Sequence, residues 1–192
     1  ANGDFAKGFI PQSINSGING DFGPWVGAML VDVNQPILLV TDEGKEEETV
    51  TRLCRVGFDN VLGHLKGGFS SWLEAGKEID TVHRITATEF AAQIEGKEVM
   101  VIDVRKESEY AAEHVEDAYS KPLAYINDWM NDIDPKQPIY LHCAGGYRSM
   151  IAASILQARG YRNFIEIEGG FKAIAETQVS KTDFVCQSKV LN

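Results

Sequence analysis

The chain has 192 residues, 44% of them hydrophobic, and carries 28 acidic against 18 basic side chains for a formal net charge of -10. That length suffices for two compact domains of about 100 residues each, and the acidic surface argues against nucleic acid or an anionic membrane as partner, because phosphate groups would be repelled. No apolar run approaches the roughly 20 residues needed to span a bilayer, and Ala1 to Ile10 lacks a basic stretch followed by an apolar one, so a soluble protein or a soluble piece of one is expected.

The first apolar segment, Pro36-Ile-Leu-Leu-Val40, returns about 102 residues later as Pro138-Ile-Tyr-Leu-His142. Gly57-Phe-Asp-Asn-Val-Leu, leading to Gly67-Gly68-Phe69, returns as Gly160-Tyr-Arg-Asn-Phe-Ile, leading to Gly169-Gly170-Phe171. Two homologous domains in tandem follow from this repeat. Nearer the start, Asp4-Phe5-Ala6 pairs with Glu109-Tyr110-Ala111, and Phe9-Ile10 with His114-Val115, at an offset of 105. Nothing ahead of these pairs answers to Ile85 through Arg105. The first copy is therefore expected to lack a helix and its N-terminal strand, and the chain reads as a fragment of a longer protein that supplies them. The expected boundaries are a truncated first domain over residues 1–78, a second domain over 79–178, and a C-terminal tail over 179–192.

Within the second copy, Thr86 and Glu89 form a capping box, Phe90 and Ile94 with the alanines give a helical stripe, and Gly96 marks the stop. Val99-Met-Val-Ile-Asp-Val104 is a continuous apolar run with β-branched residues, as in a strand buried on both faces. Pro138 introduces the strand Ile139 to His142. Ile151, Ala152, Ile155, Leu156 and Ala158 recur at helical spacing, and Phe164-Ile-Glu-Ile167 is a further strand. Strands interleaved with helices predict an α/β fold in which each domain is a parallel sheet flanked by helices. Ligands of such sheets bind at the carboxyl ends of the strands, where Cys143 to Arg148 falls.

A loop between a buried strand and a helix N-terminus aims several backbone N–H groups at one point, and the helix dipole favours negative charge there. A cysteine so placed is predisposed to the thiolate form. Gly145 and Gly146 let the chain curl around the sulfur, and Arg148 adds a fixed positive charge at the rim. Thiolate, amide cradle and cation together describe a nucleophile site that binds anions. Cys54, Cys143 and Cys186 are too widely spaced for a disulfide framework or a metal knuckle, which fits a reducing cytoplasm. Cys54, beside Val50 and Leu53, is expected in the core, and Cys186 lies in the tail as an ordinary cysteine.

His142-Cys-Ala-Gly-Gly-Tyr-Arg148-Ser149 resembles the active-site loop of rhodanese domains, the sulfurtransferase family. Asp103-Val-Arg105, Glu109-Tyr110 and His114-Val115 resemble the first motif of that family, Gly160-Tyr161 its second helix end, and Gly169-Gly170-Phe171 its final turn. The resemblance runs from Ile85 to about Thr177. It implies that Cys143 accepts a sulfane sulfur as a persulfide, assisted by Arg148. The loop of Ala144, Gly145, Gly146, Tyr147 and Ser149 would bind the substrate, Asp103 and Arg105 would support the site from behind, and no cofactor would be needed. The implied donors are thiosulfate or a low-molecular-weight persulfide, and the acceptors a thiol, sulfite or cyanide. Cysteine phosphatases and arsenate reductases on the same fold have five residues between Cys and Arg; here there are four, and the smaller ring favours sulfur. A non-catalytic regulatory module is the third reading.

In the first copy Thr41-Asp-Glu-Gly-Lys45 stands where the catalytic loop belongs, one residue shorter, without cysteine, and followed by Glu46, Glu47 and Glu48. That copy is expected to be inactive. Gly8-Phe-Ile-Pro-Gln-Ser-Ile-Asn15 and Asp21-Phe-Gly-Pro-Trp-Val-Gly27 resemble the degenerate rhodanese domain that follows a metallo-β-lactamase-fold domain in bacterial persulfide dioxygenase-like proteins. This resemblance implies such a domain upstream, with the iron site inside it. No metal is expected within these residues, since His64, His83 and His114 lack ligand spacing.

Overall fold

The computed structural model describes residues 2–186. The first copy consists of α1 (Asn2–Lys7), α2 (Phe22–Met29), β1 (Ile37–Leu39), α3 (Glu46–Cys54), β2 (Val61–His64) and α4 (Gly68–Glu74). The second begins with β3 (Arg84–Thr86), α5 (Ala87–Ile94), β4 (Met100–Asp103), α6 (Glu107–Ala112), β5 (Tyr119–Ser120) and α7 (Ile126–Trp129). It continues with β6 (Ile139–His142), α8 (Tyr147–Ala158), β7 (Phe164–Glu168) and α9 (Gly170–Ile174). The capping box at Thr86 and Glu89 is present in full and starts α5.

The second copy is a five-stranded sheet in the order β3-β7-β6-β4-β5, and every pairing in it is parallel. Alternate residues of β4 face opposite sides, as the pleat requires: Ile102 joins one buried apolar cluster and Val101 another. The larger cluster runs through both copies, with Phe22, Val26, Leu39 and Leu53 of the first packed into a group with Met150, Ile155 and Leu156 of α8. The smaller one, with Phe90, Ile167, Phe171 and Ile174, lies under α5 and α9. Residues past α9 stay on the second copy: Thr182 N–H donates to His114 O at 2.9 Å and Val185 N–H to Ala112 O at 2.7 Å. No helix among the described residues is long and apolar enough to cross a membrane.

The repeat is legible in backbone angles. Gly67 and Gly169 both have φ of 78°, and Gly68 and Gly170 have 58° and 59°. Two local differences cancel. From the left-handed loop glycine to the leucine near the helix end there are nine residues in the first copy, Gly44 to Leu53, and ten in the second, Gly146 to Leu156. The lost residue is returned in β2, where a register shift between Ile37 and Leu38 carries the pairing from Ile37 with Val61 to Leu39 with His64. In the second copy Ile139 pairs Phe164 and Leu141 pairs Glu166 without such a shift. A bulge absorbs a one-residue mismatch in this way.

Beyond the counterpart of Ile85 to Arg105 that the repeat already showed to be absent, the first copy lacks, among the described residues, a strand equivalent to β5. Among the described residues its sheet contains β1 and β2 alone, so the counterparts of β3, β4 and β5 are all lacking. The segment aligned with β5 leaves its own sheet for the other copy, where Asn15 N–H donates to Ser154 Oγ at 2.9 Å. One face of the pair is bare in consequence: Leu38 is 75% and Leu62 66% exposed. Their counterparts Tyr140 and Ile165 pack beneath α5 and α9, with the Tyr140 ring 5.1 Å from that of Phe90.

Candidate active site

Cys143 to Gly146 joins β6 to α8 at the carboxyl edge of the sheet. The loop is gripped from one side by the Gly169-Gly170 turn. Phe171 N–H donates to Cys143 O at 2.6 Å and Lys172 N–H to Ala144 O at 3.1 Å. A Cβ on Gly170 would collide with Cys143 O and with the backbone of Ala144 and Gly145, so the approach requires glycine as well as its positive φ. Held in this way, the loop turns at Gly146, whose φ is 97°, and Gly146 N–H donates to Cys143 Sγ at 3.1 Å. Cys143 is 1% exposed. The sulfur therefore lies at the bottom of the loop, one amide directed at it, before the first turn of a 12-residue helix.

Arg148 enters the site already paired. Its guanidinium makes two bonds to Glu109 of α6, at 2.5 and 2.8 Å. The hydrogen bonds to Arg148 hold the Glu109 carboxyl below its usual range, and Glu109 in turn raises Arg148. The expected rim cation is thus an ion pair, with much of its field neutralised.

On the other side of the sulfur Ser149 Oγ lies 3.5 Å from Cys143 Sγ and 2.6 Å from Glu166 Oε1. Glu166 is fully buried on β7, and its other oxygen accepts from Arg84 Nε at 2.6 Å. Burial pushes the Glu166 carboxyl up, against the opposing effects of Ser149 and Arg84.

Asp103 and Arg105 stand behind the loop. Arg105 Nε donates to Asp103 Oδ2 at 2.8 Å, and the guanidinium carbon sits 4.1 Å from the centre of the Phe171 ring, whose backbone N–H holds Cys143 O. His142 is fully buried, with Nδ1 3.3 Å from Cys143 O. Burial lowers its pKa more than Asp103, 3.9 Å away, raises it, so the ring is neutral and the apparent ion pair is not one. Tyr147 reaches across to the first copy, its hydroxyl donating to Gly17 O at 3.1 Å, and burial followed by Asp21 pushes that hydroxyl up. Tyr125 is 54% exposed on a short 3-10 turn.

The first copy keeps the grip but has no cysteine in its loop. A Cβ on Gly68 would strike Thr41 O just as one on Gly170 strikes Cys143 O. Thr41 Oγ1 is buried and has no hydrogen-bond partner among the described residues. Asp42 and Glu43 are exposed beside it, and α3 begins with Glu46, Glu47 and Glu48. The expectation that Cys54 is buried is wrong: it is exposed at the end of α3, because Thr49 and Leu53, four residues apart, occupy the inward face. Cys186 is also exposed. Among the described residues no group of three or more His, Cys, Asp or Glu is placed to hold a metal ion.

Sequence reasoning missed Glu109 as the partner of Arg148, and it missed Glu166 and Arg84 altogether. The signal for the last two was present, since a glutamate interrupts the apolar run of β7 and an arginine interrupts β3 at the residue paired with it.

A parallel sheet with a cysteine loop at its carboxyl edge, repeated once without the cysteine, defines the class, and comparison with known families agrees. The model described as "Rhodanese-like domain" matches residues 2–75 and 86–177, so the chain belongs to the rhodanese-like domain family, in two tandem copies. The "Uncharacterized protein YqhL" of Bacillus subtilis is 33% identical over 88 residues, which is 46% of this chain and 68% of that protein. "Thiosulfate sulfurtransferase GlpE" of Coxiella burnetii is 24% identical over 79 residues, 41% of this chain and 74% of the relative. Among solved structures, a rhodanese-like domain protein from Staphylococcus aureus is similar with a TM-score of 0.47 and 30% identity over 52% of this chain and 97% of its own.

Proposed function

We propose that this protein is a sulfurtransferase in which Cys143 carries the sulfur. In the first step the Cys143 thiolate attacks the sulfane sulfur of thiosulfate or of a small persulfide. The donor S–S bond breaks, its electron pair leaves on sulfite or on the donor thiolate, and Cys143 is left as a persulfide. In the second step a thiol, sulfite or cyanide attacks the outer sulfur and the Cys143 thiolate departs. This is covalent catalysis in two displacements, with no net redox change in the protein and no cofactor. Ala144, Gly145, Gly146, Tyr147 and Ser149 form the walls of the site. Asp103 and Arg105 keep the Phe171 amide on the loop, and Arg148 acts as part of its pair with Glu109.

The observation that carries this reading is the bond from Gly146 N–H to Cys143 Sγ in a ring of four residues between Cys143 and Arg148. That cradle is scaled to one sulfur atom. A phosphatase or arsenate reductase encloses a whole tetrahedral oxyanion and has five residues in this ring, whereas a sulfane donor need bring only its outer sulfur into the four-residue ring found here. Incubation with thiosulfate, followed by peptide mass mapping, should add one sulfur atom at Cys143. Cys143→Ser should abolish both this adduct and thiosulfate:cyanide transfer. Full transfer by Cys143→Ser would support a non-catalytic role for the cysteine, and turnover of an aryl phosphate would favour the phosphatase.

The bare face at Leu38 and Leu62 supports a second part of the reading. We infer that residues upstream in the full protein complete the first copy, and that they belong with a metallo-β-lactamase-fold domain. The second copy shows the kind of element that would fit: an apolar strand entering parallel to β1 as β4 lies on β6, and a helix above it as α5 lies over Tyr140. Leu38→Lys with Leu62→Lys should leave the stability of this chain unchanged and destabilise a longer protein that contains the upstream residues. Equal effects on both would remove the support.

A further inference from the structure

We propose that Glu166 exchanges a proton with Cys143 through the Ser149 hydroxyl, so that the charge of the reacting sulfur is set by a carboxylate one residue removed from it. The inference rests on the assignment of Cys143 as the sulfur carrier.

The geometry fixes the direction of the hydrogen bonds. A serine hydroxyl has one proton to give. With a fully buried carboxylate oxygen 2.6 Å away, that proton lies on the Glu166 side, which turns an Oγ lone pair toward Cys143 Sγ at 3.5 Å. The resting chain is thiol to hydroxyl to carboxylate. Passing the thiol proton to Ser149 Oγ, while the original Ser149 proton passes to Glu166 Oε1, leaves a thiolate, a hydroxyl and a carboxylic acid. No proton leaves the site and the negative charge moves from carboxylate to sulfur. The thiolate then receives two donors, the Ser149 O–H and the Gly146 N–H. After the acceptor takes the outer sulfur, the released thiolate recovers its proton by the same path.

Glu166 is suited to both states. Burial favours its neutral form, while Arg84 Nε, donating to Oε2, stabilises the ionised form. The groups facing it are Arg84 from β3, Ser149 from α8, Cys143 through Ser149, and Glu168 on its own strand, which adds a repulsive charge. Arg84 also bonds Glu168 at 3.2 Å, so its charge is shared. Ser149 touches the reacting atom; Glu166 acts through it and is a positioning residue.

The test is the pH dependence of alkylation of Cys143 by iodoacetamide, followed on the Cys143 peptide by mass spectrometry between about pH 4 and 9, a range spanning both group types. Groups that share a proton in this way release their protons in two macroscopic steps that belong to the pair. The wild-type profile should therefore show two inflections. Glu166→Gln should show one, at lower pH than the second wild-type inflection, because a neutral amide replaces a like charge. Ser149→Ala keeps the carboxylate but removes the hydroxyl that bonds both partners, so the height of the lower step should change; it serves if Glu166→Gln fails to fold. A single inflection in the wild type overturns the proposal, whether or not Glu166→Gln shifts it, as does a lower step of unchanged height in Ser149→Ala. No sulfur donor is used, so failure here leaves the persulfide assay of Cys143 standing, and failure there leaves this profile intact.

Discussion

The carbonyl oxygen of Cys143 fills the space that a side chain on Gly170 would need, and the amide next to Gly170 donates to that same oxygen at 2.6 Å. The turn and the loop are thereby fixed against each other. Gly170→Ala must move one of them, in addition to placing alanine at a φ of 59°. We expect a loss of more than about 2 kcal/mol in urea denaturation together with slower sulfur transfer. Gly76, with φ of 62° but nothing near its missing Cβ, is the control. Gly76→Ala should lose about 1 kcal/mol and leave transfer unchanged.

Glu109→Gln removes one side of the Arg148 pair. Both side chains are partly exposed, so solvent screening limits the stability change to about 1 kcal/mol. Arg148 holds the Glu109 carboxyl below its unfolded value. The stabilisation is therefore present above the ordinary glutamate pKa of about 4.3 and is lost as pH falls through the lower folded value. Urea midpoints of wild type and variant should differ by a constant amount at neutral pH and converge in acid. In Glu109→Gln the freed guanidinium should also strengthen inhibition by sulfate, measured as a lower inhibition constant.

Arg105 joins a buried carboxylate to an aromatic ring. Asp103 is fully buried, and Arg105→Ala leaves it without its cation while removing the contact over Phe171. The expected loss is about 3 to 5 kcal/mol in thermal or urea unfolding. Arg105→Lys should recover little of it, since a lysine ammonium lacks the planar fork that bonds Asp103 and Glu113 O together.

Thr41→Cys places a thiol at the position of Cys143 in the first copy. Combined with Cys143→Ser it should give no persulfide by mass spectrometry, because Asp42, Glu43 and Glu46 to Glu48 surround the position with negative charge and repel anionic donors. Persulfide on the introduced thiol equal to that on Cys143 of the wild type would show that the cysteine alone was missing.

The second copy was readable because each of its elements carries a local signal. The Thr86 capping box, the apolar run of β4 and the glycines at 169 and 170 all keep their expected places. The Cys143 loop was readable too, since the residue types that curl a chain around sulfur sit side by side. What could not be read was pairing between distant segments. Glu109 is 39 residues from Arg148, Arg84 is 82 from Glu166, and neither spacing leaves a periodic mark. Cys54 was misplaced for a related reason: its neighbours suggested a core, but the register of α3 turns the last residue outward. The lack of a β5 counterpart in the first copy left no trace in the sequence either, because the departure of Asn15 toward Ser154 is a tertiary event.

The apolar cluster that passes from Phe22 and Leu53 into Met150 and Leu156 belongs to neither copy alone. Its members cannot leave water one half at a time, so the two copies should melt together in one cooperative transition, with calorimetric and van't Hoff enthalpies in agreement. Cut away from residues 1–78, the second copy should therefore lose stability in urea denaturation, because Met150, Ile155 and Leu156 would lose the apolar cover that Phe22 and Leu53 give them.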